Sequence, residues 1–180
     1  VEWDRVFKKG DIIYIEGRAL SYRNTLQISI MTIKLCEPEN IDPADYLPVS
    51  KLDTQTMFQD ILLYIDTISS EPVKKLLAAF FDDEKTAELF RRAPAAKGFH
   101  HIYLGGLLEH TLSVVRLLDK AANHYPQLNR DLLIAGGMLH DIGKIYEFSY
   151  DGLIAYSDEG RMIGHLVMGV EMSNKKIEAI

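Results

Sequence analysis

Two hydrophobic rhythms divide the chain near residue 50. From Asp11 to Cys36 apolar and polar positions alternate. Ile12-Ile13-Tyr14-Ile15 leads to Gly17, and Gln27-Ile28-Ser29-Ile30-Met31-Thr32-Ile33 keeps the two-residue period of a strand. The pattern predicts two strands, with a turn at Gly10-Asp11 before the first and a hairpin tip at Tyr22-Arg23-Asn24 between them. Two strands bury no core of their own. Residues 37–53, with Pro38, Pro43 and Pro48 among Glu, Asn and Asp, read as a linker. Beyond it the period turns helical. Met57, Ile61, Leu62, Ile65 and Ile68 share one face of a helix predicted from about Thr54 to Ser69. Pro72 suits the first turn of a second helix that runs through Phe80, and a short one follows from Lys85 to Arg92. A long helix is expected from His101 to His124, stopped by Pro126. Another starts after Asn129, a suitable N-cap, and runs to about Lys144. Glu147 to Tyr156 reads as a small hairpin turning at Asp151-Gly152, and a last helix starts after Ser157 and continues to Ile180.

The composition narrows the class of molecule. With 180 residues, 47% hydrophobic and 26% charged, the chain has the mixture of a folded domain, which excludes disordered and low-complexity architectures. The longest apolar run, Leu132 to Leu139, is far short of the roughly 18 residues a membrane span needs. Val1-Glu2-Trp3-Asp4-Arg5 lacks the pattern of a signal peptide. One cysteine, Cys36, cannot form an internal disulfide, so a reducing, cytoplasmic setting away from membranes is expected. The net charge of −6 excludes a protein that coats nucleic acid by charge alone. Nucleic acid remains open as a substrate held locally by a metal and a few cations.

The candidate chemistry sits where apolar helices turn polar. His140-Asp141 follows the buried-type run Leu132–Leu139. An imidazole and a carboxylate buried side by side cost free energy unless paired with each other or with a metal. Lys144 lies one helical turn on, placed to hold a phosphate. His110 lies on the preceding helix among Leu107, Val114 and Leu118. It is either a ligand or a core histidine satisfied by packing. Glycine pairs, Gly105-Gly106 and Gly136-Gly137, precede the two histidines and would let the backbones approach, or else simply mark kinks. Arg161 and His165 could share a pocket or form an exposed pair. His100-His101, after Lys97, could face substrate or a solvated helix start, and His124 reads as surface. Trp3, Tyr14 and Tyr22 could stack bases or pack the strands. There is no Gly-Lys-Ser/Thr phosphate loop and no second cysteine for a zinc ribbon.

The order His110, His140-Asp141, Gly143-Lys144 resembles the HD superfamily of metal-dependent phosphohydrolases. Together with Pro94-Ala95-Ala96-Lys97, His100-His101, Gly105-Gly106-Leu107-Leu108-Glu109-His110-Thr111 and Glu159-Gly160-Arg161 with Gly164-His165, it is similar to the YhaM-type 3′–5′ exoribonucleases. The resemblance implies a mainly α fold: a helical HD domain at 54–180, preceded by a partial OB-fold at 1–36 and a linker at 37–53. It implies a chain that starts inside the OB-fold and ends before the superfamily's distal Asp ligand and a later His pair. It implies a divalent metal on His110, His140 and Asp141, with His165 serving a second metal or the substrate. Asp141 and Lys144 would be catalytic, Lys144 touching a phosphate, and Arg161, His100 and His101 would bind substrate. One or two ions are compatible, with Mn²⁺ favoured and Co²⁺, Fe²⁺, Ni²⁺ or Mg²⁺ as alternatives. The implied activity is metal-dependent 3′–5′ hydrolysis of single-stranded RNA or DNA. A nucleotide or cyclic-dinucleotide phosphohydrolase and a non-catalytic nucleic-acid-binding module are the alternatives, and an oligomer is left open.

Overall fold

A computed structural model describes residues 6–37, 41–98 and 101–180. Trp3 lies outside them. The chain divides into two compact units, one of Val1–Tyr46 with Asp151–Leu153, the other of Leu47–Tyr150 with Ile154–Ile180.

The first unit is built on an antiparallel ladder of β1 (Ile13–Tyr22) and β2 (Thr25–Leu35). Both strands run longer than the alternating stretches predict. Arg23 and Asn24 carry the turn with φ of 48° and 61°, the left-handed pair that matches the twist of a two-residue hairpin. A bulge interrupts the register between Glu16 and Gly17. Tyr14, Leu20, Tyr22, Leu26 and Ile28 are exposed, so the ladder offers apolar side chains to whatever lies over it.

The second unit is helical: α1 (Thr54–Asp66), α2 (Glu71–Phe81), α3 (Glu84–Arg92), α4 (Gly106–His124), α5 (Arg130–Leu139), the single-turn α6 (Lys144–Glu147), α7 (Asp158–Met162) and α8 (His165–Ala179). A two-residue-per-strand ladder, β3 (Phe148–Ser149) with β4 (Ala155–Tyr156), lies between α6 and α7. Caps set the starts. Asp53 accepts the Thr56 N–H at 2.8 Å, Asn129 the Leu132 N–H at 3.1 Å and Ser157 the Gly160 N–H at 2.8 Å. The carboxylate of Asp131 ties the loop between α1 and α2 to α5, accepting the backbone N–H groups of Ser69 (3.0 Å) and Ser70 (2.8 Å).

The core forms where the apolar stripes meet. Ile61, Leu77, Phe80 and Phe90 from the first three helices are fully buried with Leu107 and Leu108 of α4 and Ile134 and Met138 of α5. Phe81 and Phe90 meet edge to face with centroids 5.2 Å apart. Three predicted helix limits are corrected. The long helix starts at Gly106 rather than His101, because His101 (φ 55°) and Gly105 (φ 81°) are left-handed and break any continuous turn. The next ends at Leu139, because residues 140–143 pass through successive tight turns, with Ile142 N–H to Leu139 O at 3.1 Å and Lys144 N–H to Asp141 O at 2.9 Å. The last is two helices, split at Gly164 (φ 77°).

Candidate metal centre

The turn after α5 brings the polar side chains together. Gly137 packs α5 on α4, where a Cβ would lie 2.7 Å from Leu118 Cδ1; this close approach sets His140 opposite His110. The His110 and His140 rings are 5.3 Å apart at their centroids, and their Nε2 atoms are 3.2 Å apart. Asp141 Oδ2 lies 3.5 Å from His110 Nε2 and 3.2 Å from His140 Nε2. All three donor atoms fall within 4.8 Å of one another. An ion at the roughly 2.0–2.2 Å usual for imidazole and carboxylate ligands could reach them together.

Hydrogen bonding sets what those atoms can do. The Gly137 carbonyl accepts from His140 Nδ1 at 2.9 Å, and a carbonyl cannot donate, so Nδ1 carries the proton. Neutral His140 therefore aims a lone pair from Nε2 at the His110 nitrogen and the Asp141 carboxylate. Acceptors facing acceptors repel unless a positive charge lies between them, and this is the donor set a divalent ion fits. A proton fills part of the same need. The hydrogen bond to Asp141 raises the pKa of His140 above the usual imidazole value, despite burial. Burial lowers that of His110, with Asp141 opposing. At Asp141 burial pushes the pKa upward, but hydrogen bonds from His140 and Lys144 outweigh it and hold the carboxyl well below its normal range. Lys144 Nζ donates to Asp141 Oδ2 at 2.8 Å, on the oxygen that faces the histidine pair.

His165, the first residue of α8, approaches from the other side, with Nε2 3.5 Å from Asp141 Oδ1. It stands apart from the close trio of His110, His140 and Asp141. Its ring is fixed by a residue that the hydrophobic pattern did not single out. Glu147, 6% exposed, accepts both the His165 backbone N–H (3.0 Å) and its Nδ1–H (2.9 Å) on one oxygen. Nε2 of His165 is thereby turned toward Asp141. A glutamate between Tyr146 and Phe148, in an otherwise apolar stretch, was the signal that could have found it.

The loop before α4 supplies a further cluster. Ser50 N–H reaches Leu104 O and Leu104 N–H reaches Pro48 O, both at 2.9 Å, which pins this loop to residues 48–50. His101 precedes α4 instead of lying along it, and its ring comes within 5.7 Å of the His110 ring, so the two histidines face one region. Glu109 accepts the Ser50 hydroxyl at 2.7 Å, and its other oxygen lies 3.8 Å from His101 Nε2. Burial, with Glu109 adding to it, pushes the Tyr103 phenol up to about 12. Ser50, Tyr103 and Glu109 were also missed from sequence. Arg161 is exposed on α7, and no hydrogen bond or ion pair to the cluster holds its side chain among the described residues. His124 meets the Tyr125 ring edge to face, and His100 lies outside the described residues.

Comparison with known proteins matches the segment that carries these residues. The HD domain family model matches residues 107–180, which include His110, His140, Asp141 and His165. A second model, TraI_2, whose description names a helicase, matches residues 49–129, although the sequence has no nucleotide-binding Gly-Lys-Ser/Thr loop. The 3′–5′ exoribonuclease YhaM of Oceanobacillus iheyensis is 34% identical over 161 residues, 89% of this chain and 50% of the relative. That of Bacillus subtilis is 32% identical and that of Listeria innocua 31%, each over 170 residues, 94% of this chain and 54% of the relative. The chain thus spans about half the length of the curated relatives it matches. No solved structure matches it. Residues 107–180 of the chain are thus similar to the HD domain, and the chain as a whole is similar to the YhaM exoribonucleases.

Proposed function

We propose that the chain is the part of a metal-dependent phosphodiesterase that carries its His-His-Asp cluster, and that its substrate is single-stranded RNA degraded from the 3′ end. The observation that carries this reading is the meeting of three lone-pair donors, two imidazoles and one Asp carboxylate whose second oxygen faces a further histidine. The similarity to YhaM exoribonucleases directs it toward RNA. His110, His140 and Asp141 hold a divalent ion, and mixed nitrogen and oxygen donors suit Mn²⁺ or another first-row metal. When bound, such an ion acidifies water and polarises a phosphoryl oxygen. Asp141 presents Oδ2 to the histidine pair and Oδ1 to His165, so Asp141 and His165 would be the residues to hold a second ion or orient a water. Lys144, already 2.8 Å from Asp141, is placed to take a phosphate oxygen. His101, whose ring faces that of His110, contacts the substrate, and His100 and the exposed Arg161 are further substrate-binding residues in this reading.

We further read residues 1–36 as later strands of an OB-fold whose exposed Tyr14 and Tyr22 support bases, 37–53 as linker and 54–180 as the HD domain. Among the described residues no helix is long and apolar enough to cross a membrane. The lone Cys36 suits a reducing compartment, and we assign the protein to the cytoplasm. The test is to incubate the chain with Mn²⁺ and a 5′-labelled oligoribonucleotide, beside a 3′-blocked copy and free nucleotides. A ladder shortening from the open 3′ end, lost in Asp141→Asn, is expected. Products indifferent to Asp141, or turnover of nucleotides with none of RNA, would overturn the reading.

A further inference from the structure

A cleft of about 370 Å³ opens beside α4 and begins where the metal-binding cluster ends. His101 forms its head, and that ring lies 5.7 Å from the ring of His110. From there the cleft follows α4 past Ser113 and Arg116 to Lys120, against an apolar wall that includes Met57 and Leu117. Residues 109 to 120 rise about 17 Å along a helix, several times the roughly 3.4 Å axial spacing of charges on one nucleic-acid strand. The ends differ in charge. At the head Glu109 is engaged by Ser50 and His101. Arg116 shares its charge with Asp60 through a 2.6 Å ion pair. Lys120 is exposed, and among the described residues its ammonium has no ion pair, which leaves it as the cation free to meet an anion.

We propose that this cleft holds the substrate strand beyond the link being cut, with Lys120 binding a backbone phosphate and the aliphatic wall packing a base. The proposal rests on the phosphodiesterase reading and adds to it where the polymer lies. A free nucleotide seated at His110 ends before Lys120, ten residues further along α4, whereas a strand reaches it. The far end of the cleft is therefore what makes a polymer a better ligand than a monomer.

The test is a binding measurement, so it stands apart from catalysis. Fluorescence anisotropy of a dye-labelled single-stranded oligoribonucleotide is followed with the whole chain in EDTA over a series of salt concentrations. Lys120→Met should weaken binding about fivefold and reduce the slope of log affinity against log salt by about 0.7, the loss of one phosphate contact. Lys120→Arg should keep both, and Lys75→Met, which removes an exposed charge on α2, should change neither. A Lys120→Met chain with the affinity and slope of the unaltered one overturns the proposal, as does an equal effect from Lys75→Met. Hydrolysis of bis(p-nitrophenyl) phosphate by the unaltered chain with Mn²⁺ judges the phosphodiesterase reading separately.

Discussion

Replacing Gly143 with alanine tests how tightly the turn that carries His140 and Asp141 is built. Gly143 has φ −62° and ψ −16°, a helical conformation that alanine adopts freely, so any cost is steric. A Cβ there would lie 2.8 Å from the Gly169 nitrogen and 2.9 Å from the His165 carbonyl carbon, and nearer still to the His165 oxygen. Ordinary contact begins near 3.4 Å, so α8 must retreat by about 1.3 Å at the His165 oxygen, and backbone cannot rotate aside as a side-chain tip can. Overpacking of this kind costs about 3 kcal/mol, offset by up to about 1 kcal/mol from the stiffer unfolded chain. The net loss of about 2 kcal/mol corresponds to a melting temperature lower by roughly 4–8 °C in a chain of this size. Gly136→Ala is the matched comparison. It sits in α5 with nothing within 4 Å of its added Cβ, and should gain about 0.5–1 kcal/mol. Thermal melts and urea titrations of the two variants must move in opposite directions. An alanine at 143 that melts with the unaltered protein would refute the packing of α8 on the turn.

Four further outcomes follow from the site and its surroundings. In the metal-free protein, proton NMR should show His140 titrating above the usual imidazole value and His110 below it. The raised pKa of His140 contributes stability that is complete below pH 6.5 and disappears as pH rises through its folded value. Those of Asp141 and His110 act oppositely, and their contributions vanish on acidification. Because the ion must displace the His140 proton, calorimetric affinity for Mn²⁺ should fall, with proton release, as pH drops through that same value; a flat profile would contradict the shared site. Glu147→Gln should cost about 1.5–3 kcal/mol in urea unfolding, since a buried charged acceptor of two N–H groups is replaced by a neutral one. Thr111 places a fully buried hydroxyl without a partner among the described residues, so the isosteric Thr111→Val should be neutral or stabilising by about 1 kcal/mol in the same assay. A marked loss would reveal a hydrogen bond to water.

Much of the architecture can be read from periodicity because burial imposes it. The helical stripe through Met57, Ile61 and Ile65 follows directly from which face meets the core, whereas the two-residue period around Ile28 marks a strand whose Ile28 side chain stays exposed. The abrupt change from Leu139 to His140-Asp141 likewise marks the place where a core helix gives way to polar groups. What escaped the pattern depends on single backbone angles or lone side chains. Nothing in His101-Ile102-Tyr103-Leu104 forbids a helix, yet a left-handed φ at His101 and Gly105 swings His101 toward His110. Gly164 splits the last helix for the same reason, although a glycine just before a histidine was visible. Glu147 and Glu109 gain their roles only from partners distant in sequence: His165 for the first, Ser50 and His101 for the second. Periodicity has no means of reporting such pairings.

One oxygen of Glu147 receives both the first peptide N–H of α8 and the imidazole N–H of that same residue. Fraying of the α8 terminus and loosening of the His165 ring are therefore a single event rather than two. Hydrogen exchange at the His165 amide becomes a clock for how often this side of the centre comes apart, legible without substrate or metal.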